Sequence, residues 1–191
     1  SREYERTVYA RLSSNNGESF GEEFGLGNPD LGACACCSLS TDFIDDDLFV
    51  AYRSAIDGVG RHMQLLTLQR SDGEMQGSTY APVSGLQEWE LSACPLSTND
   101  IVVDDESGNW LVFETESRII QMQLGVDGPA TAIAEPFIMT RQKNPALAIN
   151  EDGQRLIVWG EAISHAKGGR LNMRLFDTEG MEESMTFEEN V

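Results

Sequence analysis

Four cysteines, at positions 34, 36, 37 and 94 of a 191-residue chain, are the residues best placed to do chemistry. Three lie in Cys34-Ala35-Cys36-Cys37, and the fourth lies in Ala93-Cys94-Pro95. Sulfur at this density closes disulfides, holds a soft cation or stays as free thiol. Four thiolates suit zinc in number, although adjacent Cys36 and Cys37 must strain to face one ion. A c-type haem is excluded in practice, because Ser38 rather than His follows the cluster. The disulfide reading takes Cys34, Cys36, Cys37 and Cys94 as one or two staples. The metal reading takes the same four residues as ligands. No motif assigns a cofactor.

A second group is Tyr52, Arg53, Arg61, His62 and Trp89. A forked guanidinium from Arg53 or Arg61 can bind a carboxylate or sulfate. The same arginines can instead bond backbone carbonyls between strands. Trp89 is a possible stacking platform for a sugar, whereas Trp110 and Trp159 fall in or beside apolar runs and read as core. His165 lies in a glycine-flanked loop and reads as an exposed residue. Asp45-Asp46-Asp47 and Asp104-Asp105-Glu106 carry oxygens enough for calcium, but neither has the spacing of a dedicated loop, so both read as acidic turns.

The elements that must hold these residues follow a repeat. Glycine turns at Gly17, Gly73, Gly128 and Gly180 are separated by 56, 55 and 52 residues. Within each period short apolar runs suggest four strands. First strands are Leu39 to Ile44, Asp100 to Val103 and Ala146 to Ile149. Buried second strands contain Phe49 to Tyr52, Leu111 to Glu114 and Ile157 to Gly160. Third strands are His62 to Arg70, Arg118 to Leu124 and Arg170 to Phe176. Fourth strands lie near Tyr80 to Val83, Ile133 to Phe137 and Ser184 to Phe187. Four strands in about 50 residues describe a propeller blade. The predicted fold is all-β, a propeller of about three and a half blades. Residues 1–31 form an outer half-blade, and 32–92, 93–141 and 142–191 form blades. In such a ring, equivalent positions of adjacent innermost strands are neighbours. Cys37 and Cys94 both precede first strands, so Cys94 is expected to bond Cys36 or Cys37.

Three and a half blades do not close a ring, since propellers typically have about four to eight. The expectation is that another protein chain, or a further segment of a longer polypeptide, completes it. It would cover faces lined by Leu39, Phe43, Val50, Leu171 and Phe176. Charge narrows the partners. Thirty-two acidic residues against 13 basic ones give a net charge of −19, which argues against nucleic acid and anionic membrane surfaces. No run of about 18 apolar residues is present, so no membrane span is predicted in this chain.

Ser13-Ser14-Asn15-Asn16-Gly17-Glu18-Ser19-Phe20 resembles the Asp-box hairpin of bacterial sialidase-like propellers, with Asn15 in place of the aspartate and Ser19 in place of the threonine. Cys34-Ala35-Cys36-Cys37, Ala51-Tyr52-Arg53, Arg61, Trp89 and Ala93-Cys94-Pro95 together resemble secreted bacterial members of that set, Asp-box or BNR-repeat proteins. His62 stands where those sequences usually carry Asp. Lys143-Asn144-Pro145-Ala146 to Trp159 resembles a closing blade. The resemblance implies an extracytoplasmic, periplasmic or secreted, sialidase-like propeller. Sialidases proper clamp a carboxylate with three arginines and use an Asp and a Glu-activated Tyr. None of the 11 arginines here stands in that order. The expected function is therefore a non-catalytic binding or scaffold module within a larger assembly. The alternatives are a glycoside hydrolase completed by missing blades, and a metal or redox protein using the cysteine cluster.

Overall fold

The computed structural model describes residues 2–26, 28–45, 47–71, 74–82, 89–126, 130–164 and 167–183. The turns around Gly73 and Gly128, His165 and the run Ser184 to Phe187 lie wholly or partly outside those residues. Among the described residues no helix is long and apolar enough to cross a membrane. The architecture is all-β: the described residues form four antiparallel sheets and two short 3-10 turns, at Glu3–Glu5 and Pro29–Leu31. The chain divides into two compact units, Ser1–Leu96 and Ser97–Val191.

In the first unit, strands β1 (Tyr9–Ala10) and β2 (Phe24–Gly25) form a small hairpin. Strands β3 (Ser40–Ile44), β4 (Asp47–Arg53), β5 (Met63–Ser71) and β6 (Glu74–Pro82) form a meander in that order. Alternate residues Leu48, Val50 and Tyr52 of β4 and Leu66 and Leu68 of β5 pack with Val8, Leu26 and Ala33. The other face of β4 is also closed, because Ala51 and Arg53 are buried. A strand covered on both faces loses the alternation of a half-exposed one.

The β1–β2 ladder is shorter than the expected runs from Thr7 to Ser13 and Ser19 to Leu26. The turn between them explains it. Ser13 Oγ accepts from the Gly17 amide at 2.8 Å, and Asn15 Oδ1 accepts from the Ser19 amide at 3.0 Å. Asn15 Nδ2 donates to Ser19 Oγ at 2.9 Å. Backbone groups in the turn are thus satisfied by side chains instead of by a ladder.

The second unit holds two sheets. One is β10-β9-β8-β7, from β7 (Asn99–Val102), β8 (Asn109–Thr115), β9 (Arg118–Leu124) and β10 (Thr131–Ala132). The other is β11 (Arg141–Ile149), β12 (Arg155–Ala162), β13 (Arg170–Phe176) and β14 (Glu182–Glu183), in chain order. Val112, Ile119, Leu147, Ile157, Trp159 and Phe176 form their shared core. β11 starts earlier than Ala146 because a bulge between Lys143 and Ala146 accommodates Asn144 and Pro145. β10 ends before the expected Ile133 to Phe137 run. Gln142 Nε2 donates to the Ala134 carbonyl, and the Phe137 amide donates to Glu161, so these groups bond side chains.

Two of the five side chains expected on uncovered faces are corrected. Val50 and Phe176 are buried, because both point into the cores of their own units. Leu39, Phe43 and Leu171 are more than half exposed, at 54%, 57% and 67%.

Candidate functional site

The cysteine loop is positioned by the chain on either side of it. Asn28 Oδ1 accepts from the Asp30 amide at 2.9 Å and caps the 3-10 turn that Pro29 opens. Gly32 ends that turn at φ +59, where a Cβ would lie 2.9 Å from Tyr4 Cα. No other residue fits there without moving backbone. The chain then runs beside the end of β4. The Ala55 amide donates to the Leu31 carbonyl, and the Cys34 amide donates to the Arg53 carbonyl, both at 2.9 Å. A tight turn follows, with the Cys37 amide donating to the Cys34 carbonyl at 3.1 Å.

Cys94 arrives on a second segment. The Arg61 amide donates to the Trp89 carbonyl at 2.8 Å, and the Leu91 amide donates to the Val59 carbonyl at 2.9 Å. This pairing carries the chain to the cysteine loop, where Cys36 and Cys94 form a disulfide across 58 residues. Cys34 is buried and Cys37 half-buried, and both are thiols. Cys34 Sγ lies 2.9 Å from Cys37 Sγ, 3.6 Å from Cys36 Sγ and 3.9 Å from Cys94 Sγ. All four sulfurs lie within 4.8 Å of one another. The hydrogen bond with Cys37 pushes the Cys34 thiol far above its ordinary range, and burial adds to that; the Arg61 charge opposes it.

The second group of sequence candidates divides. Tyr52 and Arg53 line a cavity of about 440 Å³ together with Arg6, Thr7, Cys34 and Cys37. Arg53 is buried, donates from Nη1 to the Arg61 carbonyl at 2.6 Å and lies over the Trp89 ring at 5.0 Å. Trp89 is thus covered by a cation–π partner and is 9% exposed. Arg61 does bind a carboxylate, but one of its own chain: Nη2 meets Glu3 Oε2 at 2.9 Å. Its Nη2 and Nε also donate to the Gly58 and Leu91 carbonyls. His62 is half-buried beside the Ser54 hydroxyl, which accepts from the His62 amide at 3.0 Å. Arg61, His62 and Trp89 do not line the cavity.

Arg6, Thr7 and Glu3 escaped the sequence reading. The Arg61–Glu3 pair spans 58 residues and has no local signature in the sequence. Asp104 accepts from the Glu106 and Ser107 amides at 3.0 and 2.6 Å, and these bonds, chiefly that from Ser107, hold its carboxyl below the usual range. Its Oδ1 is turned to backbone as in an Asx turn. Trp159 is buried, and Trp110 is half-buried beneath Arg155 at 3.7 Å.

No family model matches this chain, and no curated protein matches it. Among solved structures it is similar to an endo-arabinase from Bacteroides thetaiotaomicron VPI-5482, at 12% sequence identity and a TM-score of 0.48. The similarity covers 79% of this chain, which spans 61% of that one.

Proposed function

We propose that this chain is a non-catalytic, extracytoplasmic binding or scaffold module of the sialidase-like propeller type, working within a larger protein assembly. The observation that carries the reading is β3. It is an edge strand of its sheet, and Phe43 and the flanking Leu39 are more than half exposed on it. An edge strand that carries exposed apolar side chains is costly in water and suits a further β-sheet. That sheet comes from another chain or from a further stretch of the same polypeptide. The Cys36–Cys94 disulfide supports an oxidising compartment. The engagement of Arg61 with Glu3 weighs against a free arginine clamp for substrate, and so against the hydrolase alternative.

Sedimentation of the purified 21.0 kDa chain tests this. The expected result is concentration-dependent association that Phe43→Lys abolishes. A cooperative monomer at every concentration overturns the reading.

A further inference from the structure

The four sulfurs are more than a staple requires. A disulfide uses two cysteines, yet Cys34 and Cys37 are brought to the same point by the same loop. Zinc held by four thiolates at about 2.3 Å sets its sulfurs roughly 3.8 Å apart around a tetrahedron. Cys34 Sγ lies 3.6 and 3.9 Å from the Cys36 and Cys94 sulfurs. The whole set fits within 4.8 Å, so once the disulfide is reduced, rotations about the Cα–Cβ bonds bring the four sulfurs to that spacing.

The surroundings suit a negatively charged cluster. Cys94 Sγ accepts a hydrogen bond from the Leu96 amide at 3.3 Å. Leu96 adopts φ +49 there, a left-handed conformation that a branched residue adopts at a cost. An amide aimed at sulfur gains most when that sulfur carries charge. Arg61, whose carbonyl accepts from the Arg53 side chain that shares a cavity wall with Cys34 and Cys37, has a buried Nη1 with no hydrogen-bond partner among the described residues. A buried donor of this kind calls for a nearby acceptor or anion.

We infer that Cys34, Cys36, Cys37 and Cys94 of the reduced chain form a four-thiolate site for zinc(II), and that this site and the Cys36–Cys94 disulfide are mutually exclusive states of the same sulfurs. The balance is simple. A dithiol reductant gives two electrons and two protons to the disulfide, yielding two thiols and becoming a disulfide itself. One zinc ion then displaces four thiol protons, which pass to solvent, and leaves a site of charge −2. A disulfide oxidant reverses both steps: it takes two electrons from the Cys36 and Cys94 thiolates and two protons from solvent to become a dithiol, the zinc ion leaves, and Cys34 and Cys37 take two further protons from solvent. The site does not depend on the scaffold reading, since it needs no partner chain.

The test uses the full chain, reduced anaerobically, freed of reductant and titrated with zinc(II) against a chromophoric chelator. One ion per chain is expected, with cobalt(II) giving the intense visible bands of tetrahedral thiolate coordination. Cys34→Ser and Cys37→Ser should each weaken binding by about tenfold or more, the scale on which even outer partners of a metal act. Retained β-sheet circular dichroism separates that loss from unfolding. Bound zinc should also slow alkylation of Cys34 and Cys37 in the wild-type chain. Binding to the oxidised chain with equal affinity, no stoichiometric binding to the reduced chain, or unchanged affinity in both serine variants overturns the inference. So does uptake of copper(I) but not zinc(II).

Discussion

In the first unit buried Arg53 borders an open cavity together with Cys34 and Cys37, and its Nη1 donates to the carbonyl of buried Arg61; in the second, buried Glu114, Glu161 and Arg155 pack against side chains of neighbouring segments. Glu114 Oε2 meets Lys143 Nζ at 2.9 Å, joining β8 to β11, while Oε1 accepts from the Ser117 amide. Glu161 accepts from the Phe137 amide at 2.6 Å, from the Thr140 hydroxyl and from Asn172 Nδ2 at 2.9 Å. Arg155 is capped by the Trp110 and Phe176 rings, and burial lowers its pKa against the opposing Asp177 charge. Charges in the second unit join sheets and organise a loop. In the first, Arg53 shares a cavity wall with the two thiols of the cysteine loop. Each unit leaves a buried guanidinium nitrogen without a hydrogen-bond partner among the described residues, Arg61 Nη1 in the first and Arg155 Nε in the second, so the contrast lies in what the charges adjoin.

Removing the cross-link should have the largest effect on stability. The Cys36–Cys94 bridge closes a loop of 58 residues, so chain entropy alone assigns it about 4 kcal/mol. The double variant C36A/C94A should lose that much in urea unfolding. A loss below 1 kcal/mol would mean that the oxidised first unit does not depend on its staple. Glu114→Ala should follow, at about 3 kcal/mol, near the lower end for one partner of a buried pair because Lys143 is partly exposed. Glu114→Ala/Lys143→Met should recover part of the loss. No recovery would show that Glu114 acts mainly through the Ser117 amide.

A pH series separates Glu161 from the thiols. Burial opposes its ionisation, but bonds from Thr140 and Phe137 and the Arg170 charge outweigh it, so its pKa falls below the ordinary 4.5. The folded pKa is depressed, so its stabilisation is complete above about 4.5 and is lost as pH falls through the folded value. Glu161→Gln should therefore destabilise more at pH 7 than near pH 3. Equal losses at both would show that packing, rather than charge, sets its role.

The all-β character was legible because the strands announce themselves locally. Phe49 to Tyr52 and Leu111 to Glu114 are apolar runs between acidic or glycine turns, and they became β4 and β8. The gathering of Cys94 with the Cys34 loop was also legible, from the position of each before a β-like run. What stayed hidden depends on contacts remote in sequence. Glu3 reaches Arg61 through tertiary folding alone, and Arg53 stacks on Trp89 across 36 residues of chain. Residue types named Arg53, Arg61 and Trp89 as capable of binding. Only the arrangement tells that they bind one another or their own backbone. Val50 and Phe176 looked open for the same reason, since an apolar strand does not say which sheet covers it.

The smallest expected effect is at the turn of the β1–β2 hairpin, and it asks whether the repeat is chemical or only spatial. Asn15 Oδ1 accepts from the Ser19 amide at 3.0 Å, Asn150 Oδ1 from the Gln154 amide at 2.8 Å, and Asp177 Oδ1 from the Met181 amide at 2.8 Å. Each acceptor bonds the amide four residues on, and a glycine at positive φ lies within that interval: Gly17, Gly153 and Gly180. The same side-chain geometry therefore closes turns in both units. Asn15→Ala removes one such acceptor from an exposed site, so the loss should be about 1 kcal/mol, the net scale of a hydrogen bond. Asn150→Ala should cost a similar amount. Asn15→Asp supplies the same acceptor oxygen but removes the donor to Ser19 Oγ, so it should retain most of the stability. Thermal unfolding of the three variants decides the matter. If Asn15→Asp loses as much as Asn15→Ala, the amide donor rather than the shared acceptor holds the turn, and the two units share spacing without sharing the interaction that closes it.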